Sequence, residues 1–176
     1  GRIVGSAFGF ATNDPSVLHS HYLAVRPELR GSGLGERIKR VQAEWCLQHG
    51  YRSMRWTYDP LQFVNAHLNL NKLGALGVSY HVNHYGALGG INGGLPSDRL
   101  TVHWWFGADP VQFDRSRAIS VETPPVTPDH VASATAEALA ARYALRDEMA
   151  ARVGHGWVVT GVDRGARRYQ LCPVVG

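Results

Sequence analysis

The chain has 176 residues, a hydrophobic content of 44% and a formal net charge of +4 at pH 7. No apolar run approaches the roughly 18 residues of a membrane-spanning helix, and residues 1–5 lack the charged and then apolar pattern of a signal peptide. We therefore expect a cytoplasmic protein with no membrane partner, and the modest, dispersed charge argues against a nucleic-acid partner. Two cysteines, Cys46 and Cys172, are too few for a disulfide framework, so we expect both to lie in the core.

The first half of the chain alternates strand and helix patterns. Turn residues at 12–15 separate two strands that we expect to form an antiparallel hairpin. The first helix is predicted from apolar residues at helical spacing, which are Leu34, Ile38, Val41 and Trp45, and it ends at Gly50. The predicted strands are 2–10, 16–25, 52–58 and 78–85, and a second helix covers 62–73.

The second half begins with a glycine-rich segment, 86–94, that we expect to be a flexible loop. A strand at 99–106 and an irregular linker at 107–125 precede one long helix at 128–153, which Thr127 caps. The last element is a hairpin of strands 157–162 and 168–171. This order predicts an α+β fold with helices packed on a mixed sheet, divided into domains 1–106 and 107–176.

A candidate anion-binding loop lies between a predicted strand and a predicted helix. Its sequence is Arg30-Gly31-Ser32-Gly33-Leu34-Gly35. Its glycines let backbone N–H groups approach an anion, and the following helix offers its free amino-terminal N–H groups. The spacing fits neither a dinucleotide fingerprint, whose third glycine falls at Glu36, nor a Walker loop, which needs a lysine. An exposed Gly/Ser turn is the alternative. Four arginines, which suit a polyanion, flank the loop at Arg26, Arg30, Arg37 and Arg40.

Two histidines precede this loop on the same strand. His19 and His21 are two residues apart, so both imidazoles lie on one side of the strand. A neutral imidazole accepts a proton from an amine at neutral pH. The alternatives are a half-buried polar face and a pair of metal ligands, although no third ligand lies nearby in the sequence. His81 and His84 are expected on opposite strand faces and therefore do not form a site.

The glycine motif, after a strand that ends Leu23-Ala24-Val25, resembles the pyrophosphate loop of the GNAT superfamily of acyl-CoA N-acyltransferases. The resemblance covers about residues 1–85 and implies a GNAT-like, mostly antiparallel sheet flanked by helices, with the long helix and hairpin as an extension. It implies that the pantetheine arm of the coenzyme binds along the strand end and also contacts Asn65. The cofactor-binding residues that it implies are Leu23, Ala24, Val25, Arg30, Gly31, Ser32, Gly33, Leu34, Gly35 and Asn65.

The stretch from His19 to Val25 is also similar to the H-x-H-x-L-A-V stretch of arylalkylamine N-acetyltransferases, in which two histidines relay a proton from the substrate amine. Family members often place a tyrosine, the proton donor to the leaving thiolate, four residues before the glycine that closes the second helix. Leu70 occupies that position here. Tyr85 is therefore a candidate acid, and Tyr58, Tyr80 and solvent are alternatives. The strand and two helices that usually precede the hairpin are not part of this sequence.

The resemblance implies an N-acyltransferase that uses acetyl-CoA or another acyl-CoA, without a metal, and an amine that attacks the thioester directly. His21 and His19 are its expected bases, and N–H groups near Leu23 and Ala24 are expected to stabilise the oxyanion. The expected partners are an amine-bearing acceptor and a second copy of the chain, which the carboxy-terminal region contacts. The alternative function is a non-catalytic sensor or interaction module that binds acyl-CoA.

Overall fold

The computed structural model describes residues 1–86, 95–107 and 111–176, so most of the predicted glycine-rich loop at 86–94 lies outside the described residues. The structure divides into two compact units. The first consists of Gly1–Trp56 and His103–Asp109, and the second of Thr57–Val102 and Pro110–Gly176. The domain boundary expected after residue 106 stays a prediction.

The elements follow the predicted order over most of the chain. The strands are β1 (Gly5–Ala11), β2 (Val17–Val25), β3 (Ser53–Tyr58), β4 (Leu76–His81), β5 (Arg99–Trp105), β6 (Ile119–Glu122), β7 (Trp157–Asp163) and β8 (Arg168–Pro173). The helices are α1 (Leu34–Gln48), α2 (Phe63–Ala66), α3 (Pro128–Ala132) and α4 (Ala136–Arg152). A π-helical segment, His67–Lys72, continues α2, and short 3₁₀ turns cover Pro27–Leu29 and Arg115–Arg117.

The first unit contains β1, β2 and β3 in that order, with the end of β5 beside β3. β1 and β2 are antiparallel, whereas β2 and β3 are parallel. Helix α1 packs against β1 and β2. Its buried residues include Cys46, and Leu18 of β2 and Met54 of β3 are also in the core.

The second unit has the strand order β5-β4-β7-β8-β6, and the pairs β4–β7, β7–β8 and β8–β6 are antiparallel. Its apolar core includes Leu145 and Met149 of α4 and Val159 of β7. Of the five strand pairings with a defined register in the described residues, β2–β3 is parallel and the other four are antiparallel. The prediction of an α+β fold with a mostly antiparallel mixed sheet is therefore confirmed.

The second unit also buries two arginine–aspartate pairs. Arg146 donates to both carboxylate oxygens of Asp98, at 2.9 and 2.8 Å, and the Asp98 side chain is fully buried. Arg142, which is 1% exposed, donates to Asp59 at 2.8 Å. Both arginines lie on α4. Their directional hydrogen bonds therefore determine the position of this helix within the unit more specifically than the packing of its alanines does.

The predicted linker 107–125 was wrong in its second part. Ile119–Glu122 forms β6, and its hydrogen-bond partner is β8, about fifty residues later in the chain. A short strand of this kind obtains its hydrogen bonds from a distant segment, so its own sequence carries little signal. Residues 108–110 of the predicted linker lie outside the described part of the chain.

The predicted single helix at 128–153 is broken into α3 and α4. Thr127 caps α3 as expected by accepting from the His130 N–H, but Ala134 has a φ of +48°. Thr135 then starts a new helix by accepting from the Ala138 N–H. A second capping residue therefore competes with helix continuation at Ser133–Thr135.

Two further expectations were wrong in detail. Val41 and Trp45, which were placed on the buried face of α1, are 62% and 47% exposed, and the helix buries Lys39, Ala43 and Cys46 instead. β4 ends at His81 rather than at residue 85, because a turn with Asn83 at a φ of +53° follows it.

Candidate functional site

The glycine loop has the geometry of an open anion cradle. The 3₁₀ turn Pro27–Leu29 leads into it, and Gly31 and Gly33 adopt φ values of +77° and +82°. A Cβ added at either glycine meets no atom within 4 Å. Glycine is therefore required at these two positions by the left-handed backbone and not by close packing within the chain.

The first turn of α1 leaves its amide groups free. Gly33 is the N-cap and forms no side-chain capping bond, and among the described residues the N–H groups of Leu34, Gly35 and Glu36 have no acceptor. The loop itself is closed by Ser32, whose hydroxyl donates to the Leu29 carbonyl at 2.7 Å. Free N–H groups at the positive end of a helix dipole are suited to a phosphate or diphosphate.

The four arginines near the loop divide into two pairs. Arg26 donates to the Ile3 carbonyl at 2.5 Å, and Arg40 forms an ion pair with Glu36 at 2.8 Å. Arg30 and Arg37 are exposed, and their guanidinium groups have no partner in the described part of the chain. Arg30 and Arg37 are therefore the two cations that a bound polyanion meets without breaking an existing contact.

β2 and β3 diverge upstream of this loop. Their parallel pairing covers only Val17–His19 with Ser53–Arg55, and Ser20 and Trp56 are the first residues beyond it. We call the point of divergence, defined by Ser20 and Trp56, the β2–β3 fork. Beyond the fork, β2 still pairs with β1 on its other side, through Leu23, Ala24 and Val25. Alternate residues of an antiparallel strand direct their N–H and C=O groups away from the partner, so this stretch of β2 offers backbone groups to an extended ligand.

The two predicted histidines share a face of β2, as expected. Their ring centroids are 6.0 Å apart, and Phe10 of β1 stacks on His19 at 4.7 Å and lies 5.6 Å from His21. His21 is the extra residue of a β-bulge, because Phe8 pairs with Tyr22 and Gly9 pairs with Ser20. The bulge turns His21 and the exposed rings of Phe8 and Tyr22 toward the same side.

The environment of His19 favours its neutral form. Burial lowers the pKa of this imidazole below its ordinary value of 6.5, and the positive charges of His21, Arg55 and Lys39 lower the pKa further. A neutral ring retains a nitrogen lone pair that accepts a proton at neutral pH.

Lys39 is a residue of this region that the sequence reasoning missed. Its side chain is 3% exposed, its ammonium donates to Ser20 Oγ at 2.6 Å, and Ser20 in turn donates to Gln42 Oε1 at 2.8 Å. Burial lowers the pKa of Lys39 to about 7. The sequence held one signal: Lys39 lies two helical turns before Cys46, which was expected to face inward.

Asn65 and Tyr85 belong to the second unit. Asn65 is exposed on α2. Tyr85 is 47% exposed, its N–H donates to Ser97 Oγ at 3.0 Å, and the guanidinium of Arg99 lies 5.0 Å from its ring. Tyr85 is therefore a partly exposed residue, and its role as the acid stays a prediction.

The alternative tyrosines are held in the interior of the second unit. Tyr58 is buried, with its hydroxyl 3.5 Å from that of Tyr169, and Tyr80 donates to Asp98 at 2.8 Å. Burial raises the pKa of both tyrosines well above the ordinary value. Both hydroxyls are therefore weak proton donors to a leaving group.

His81 and His84 were expected on opposite faces of one strand, and this expectation was wrong. Their ring centroids are 5.0 Å apart, because the turn after β4 brings His84 back toward His81. His81 Nε2 contacts the hydroxyls of Thr101 at 2.8 Å and Ser79 at 3.1 Å.

Residues 1–86, 95–107 and 111–176 contain no group of three or more His, Cys, Asp or Glu side chains placed to bind a metal. No helix within these ranges is long and apolar enough to cross a bilayer.

Residues 1–74 match the model of the acetyltransferase (GNAT) family. The fold is similar to that of the IAA acetyltransferase from Bacillus cereus ATCC 14579, at 18% identity and a TM-score of 0.52, over 60% of this chain and 72% of that one. It is also similar to a GNAT family acetyltransferase from Elizabethkingia anophelis with acetyl-CoA bound, at 13% identity and a TM-score of 0.53, over 60% and 70% of the two chains. The ribosomal-protein-S18-alanine N-acetyltransferase from Escherichia coli aligns at 15% identity and a TM-score of 0.51, over 62% and 65%.

No curated protein matches this sequence. The solved structures share too little sequence to show more than the fold, whereas the family match covers the loop, β2 and α1 directly. The match to the GNAT acetyltransferase family thus covers residues 1–74, and the fold of the chain is similar to that of GNAT acetyltransferases.

Proposed function

We propose that this protein is an acyl-CoA-dependent N-acyltransferase that transfers an acyl group, in the simplest case acetyl, to an amine. The observation that carries the proposal is the open cradle, in which the N–H groups of Leu34, Gly35 and Glu36 have no acceptor among the described residues. Coenzyme A presents a diphosphate, which is the kind of anion that such a cradle binds. The family match over residues 1–74 supports the same donor.

The residues present fit the coenzyme. Arg30 to Gly35 would hold the diphosphate, and the unpaired side of β2 at Leu23–Val25 would bind the amides of the pantetheine arm. The contact of Asn65 with the pantetheine arm, which the resemblance implies, stays a prediction. The bound coenzyme supplies an activated thioester.

His21 and His19 would remove the proton that the attacking amine must lose. A positioned general base of this kind contributes roughly 10²–10⁴ in rate. Backbone N–H groups near Leu23 and Ala24 would stabilise the negative charge that develops on the carbonyl oxygen, an interaction worth about 2.7–4 kcal/mol per donor. The exposed rings of Phe8 and Phe10 lie beside the histidines, and we expect the acceptor to bind against them.

Calorimetry with coenzyme A, followed by a thiol-release assay with acetyl-CoA and a panel of aliphatic and arylalkyl amines, tests the proposal. We expect binding and amine-dependent thiol release. Binding without release for any amine would favour the alternative of a non-catalytic acyl-CoA-binding module. No heat with coenzyme A would contradict both functions.

The cytoplasmic location, the amine-bearing acceptor, association through the carboxy-terminal region and the lack of nucleic-acid and membrane partners stay predictions. Sedimentation of the purified protein over a range of concentrations tests the association.

A further inference from the structure

The ammonium of Lys39 lies at the β2–β3 fork. It donates to Ser20 Oγ on β2 at 2.6 Å and lies 3.7 Å from the centre of the Trp56 ring on β3. Ser20 and Trp56 are the first residues of their strands beyond the last parallel pair, His19 with Arg55. One lysine side chain therefore bridges the two strands where they begin to separate.

This charge has no counter-ion. No carboxylate of the described residues lies within ion-pair distance of Lys39, although its side chain is 97% buried. Ser20 supplies one neutral oxygen, and the Trp56 ring supplies its electron-rich face. A buried cation is costly without an anion, so the fork is a place where a developing negative charge is strongly favoured.

We propose that Lys39 protonates and stabilises the thiolate that leaves when the acyl group is transferred, which makes it the general acid of the reaction. The inference rests on the proposed function, because that function places a thioester along β2. From Val25 back to Ser20 is about 17 Å of strand at ~3.3 Å per residue. This distance is comparable with an extended pantetheine arm, so a diphosphate at the loop brings the sulfur toward the fork.

The bonds and protons of the acyl-transfer step balance. The amine nitrogen forms a bond to the thioester carbonyl carbon, and the carbon–sulfur bond breaks with its electron pair on sulfur. The Lys39 ammonium gives its proton to that sulfur, and the imidazole of His21 or His19 takes the proton of the amine. Solvent then returns a proton to Lys39 and removes one from the imidazolium. No oxidant or further reactant is needed.

The surroundings of Lys39 match this role. A thiol has an ordinary pKa near 8.5, and burial lowers the pKa of Lys39 from 10.5 to about 7, against a small opposing effect of Cys46 on the same helix. His19 on β2 is a titratable neighbour of Lys39, and the positive charges of the two side chains repel each other. A donor with a pKa near the working pH is efficient because it is available and acidic at the same time.

A binding experiment tests Lys39 without relying on turnover. Coenzyme A and its desulfo analogue are titrated calorimetrically into the wild-type protein, Lys39→Met and Lys72→Met at several pH values. Methionine keeps the length and packing of the side chain but removes the charge. Lys72 is the only other lysine in the sequence and is exposed, so Lys72→Met loses the same charge elsewhere.

We expect the wild-type protein and Lys72→Met to bind coenzyme A about tenfold more tightly than the desulfo analogue at pH 7.5, and Lys39→Met to bind both equally. The ultraviolet absorbance of the bound thiolate gives a second readout. It should appear at a lower pH in the wild-type complex than in the Lys39→Met complex.

Equal binding of both ligands by the wild-type protein, or an unchanged preference in Lys39→Met, would overturn the role of Lys39 while leaving the proposed function intact. Failure of both ligands to bind would instead contradict the proposed function. If Lys39→Met does not fold, the thiolate titration is repeated with Lys39→Gln and Lys39→Arg, of which only arginine should retain a lowered thiol pKa.

Turnover separates Lys39 from Tyr85. The ratio of wild-type to Lys39→Met kcat should be about 10² at pH 6.5 and should approach one at alkaline pH, where Lys39 is neutral in the wild-type protein. Tyr85→Phe should keep the wild-type kcat at each pH. A loss of kcat in Tyr85→Phe, with none in Lys39→Met, would assign the acid to Tyr85 and overturn the proposal.

Discussion

Lys39 and Trp56 form a buried cation–π pair, with the ammonium 3.7 Å from the ring centre and no carboxylate of the described residues beside it. The pair connects α1, whose amino terminus forms the anion cradle, to β3 at the point where β3 leaves β2. Stability alone would favour an apolar residue at this buried position. Lys39 is instead charged or neutral according to pH.

Lys39→Met should stabilise the protein near neutral pH, and the gain should shrink as the pH rises. Burial lowers the pKa of Lys39 to about 7 from 10.5, so between these values the unfolded chain binds a proton that the folded chain does not. The wild-type free energy of unfolding therefore rises with pH across this window, by up to about 1.4 kcal/mol per pH unit, and the penalty is present in full below pH 7. Urea unfolding at pH 6.5, 8 and 9.5 measures it. Lys72→Met should follow the wild-type pH dependence, and a pH-independent difference for Lys39→Met would contradict the prediction.

Gly33→Ala should abolish coenzyme A binding at a modest cost in stability. Gly33 has a φ of +82° and open space around it, so alanine costs about 1–2 kcal/mol of backbone strain and its methyl group lies where the diphosphate would bind. Gly50→Ala is the matched control at the other end of α1, because Gly50 has a φ of +85° and equally open space. Both variants should lose similar stability by urea unfolding, while calorimetry should show lost binding for Gly33→Ala alone. Equal affinities in the two variants would contradict a cradle at Gly33.

His21→Gln and His19→Gln should lower kcat by roughly 10²–10⁴ and leave the affinity for coenzyme A within about twofold. Because burial and nearby positive charges lower the pKa of His19 below 6.5, the proton-accepting form should persist at pH 6.5, and protonation of His19 should lower the rate only at a more acidic pH. Steady-state kinetics and calorimetry on each variant measure the two effects. His155→Gln, an exposed substitution in the second unit, serves as the control. A parallel loss of rate and coenzyme affinity would indicate that the histidines are structural.

Arg146→Met should destabilise the protein by about 3–5 kcal/mol, because it leaves the buried Asp98 carboxylate without its counter-ion. Burial alone would raise the pKa of Asp98, but hydrogen bonds from Arg146, the Asn83 N–H and Tyr80 lower it below 3.8 overall. The stabilisation is therefore present above pH 3.8 and is lost as the pH falls through the folded-state pKa. Arg152→Met, which breaks a partly exposed ion pair with Glu148 on the same helix, should cost less than about 0.5 kcal/mol. Chemical unfolding at pH 7 compares the two, and similar losses would argue against a buried ion pair.

Local sequence was sufficient for the cradle and for most element boundaries. The glycine loop and the helix start at Leu34 predicted free amino-terminal N–H groups beside an open turn, which the structure has, and the structure adds the left-handed conformations of Gly31 and Gly33. The capping of Thr127 and the terminal hairpin were also predicted correctly. These features depend on the conformations of a few neighbouring residues, and single-residue preferences decide them.

The tertiary structure decided what depends on distant partners. β6 exists because β8 supplies its hydrogen bonds, and the bulge at His21 arises from the register of β2 against β1. The buried face of α1 is set by what it packs on, so Val41 is exposed and Lys39 is buried beneath Trp56. Helical spacing gives the period of a pattern but leaves open which face meets the sheet, and only the packed strands settle that choice.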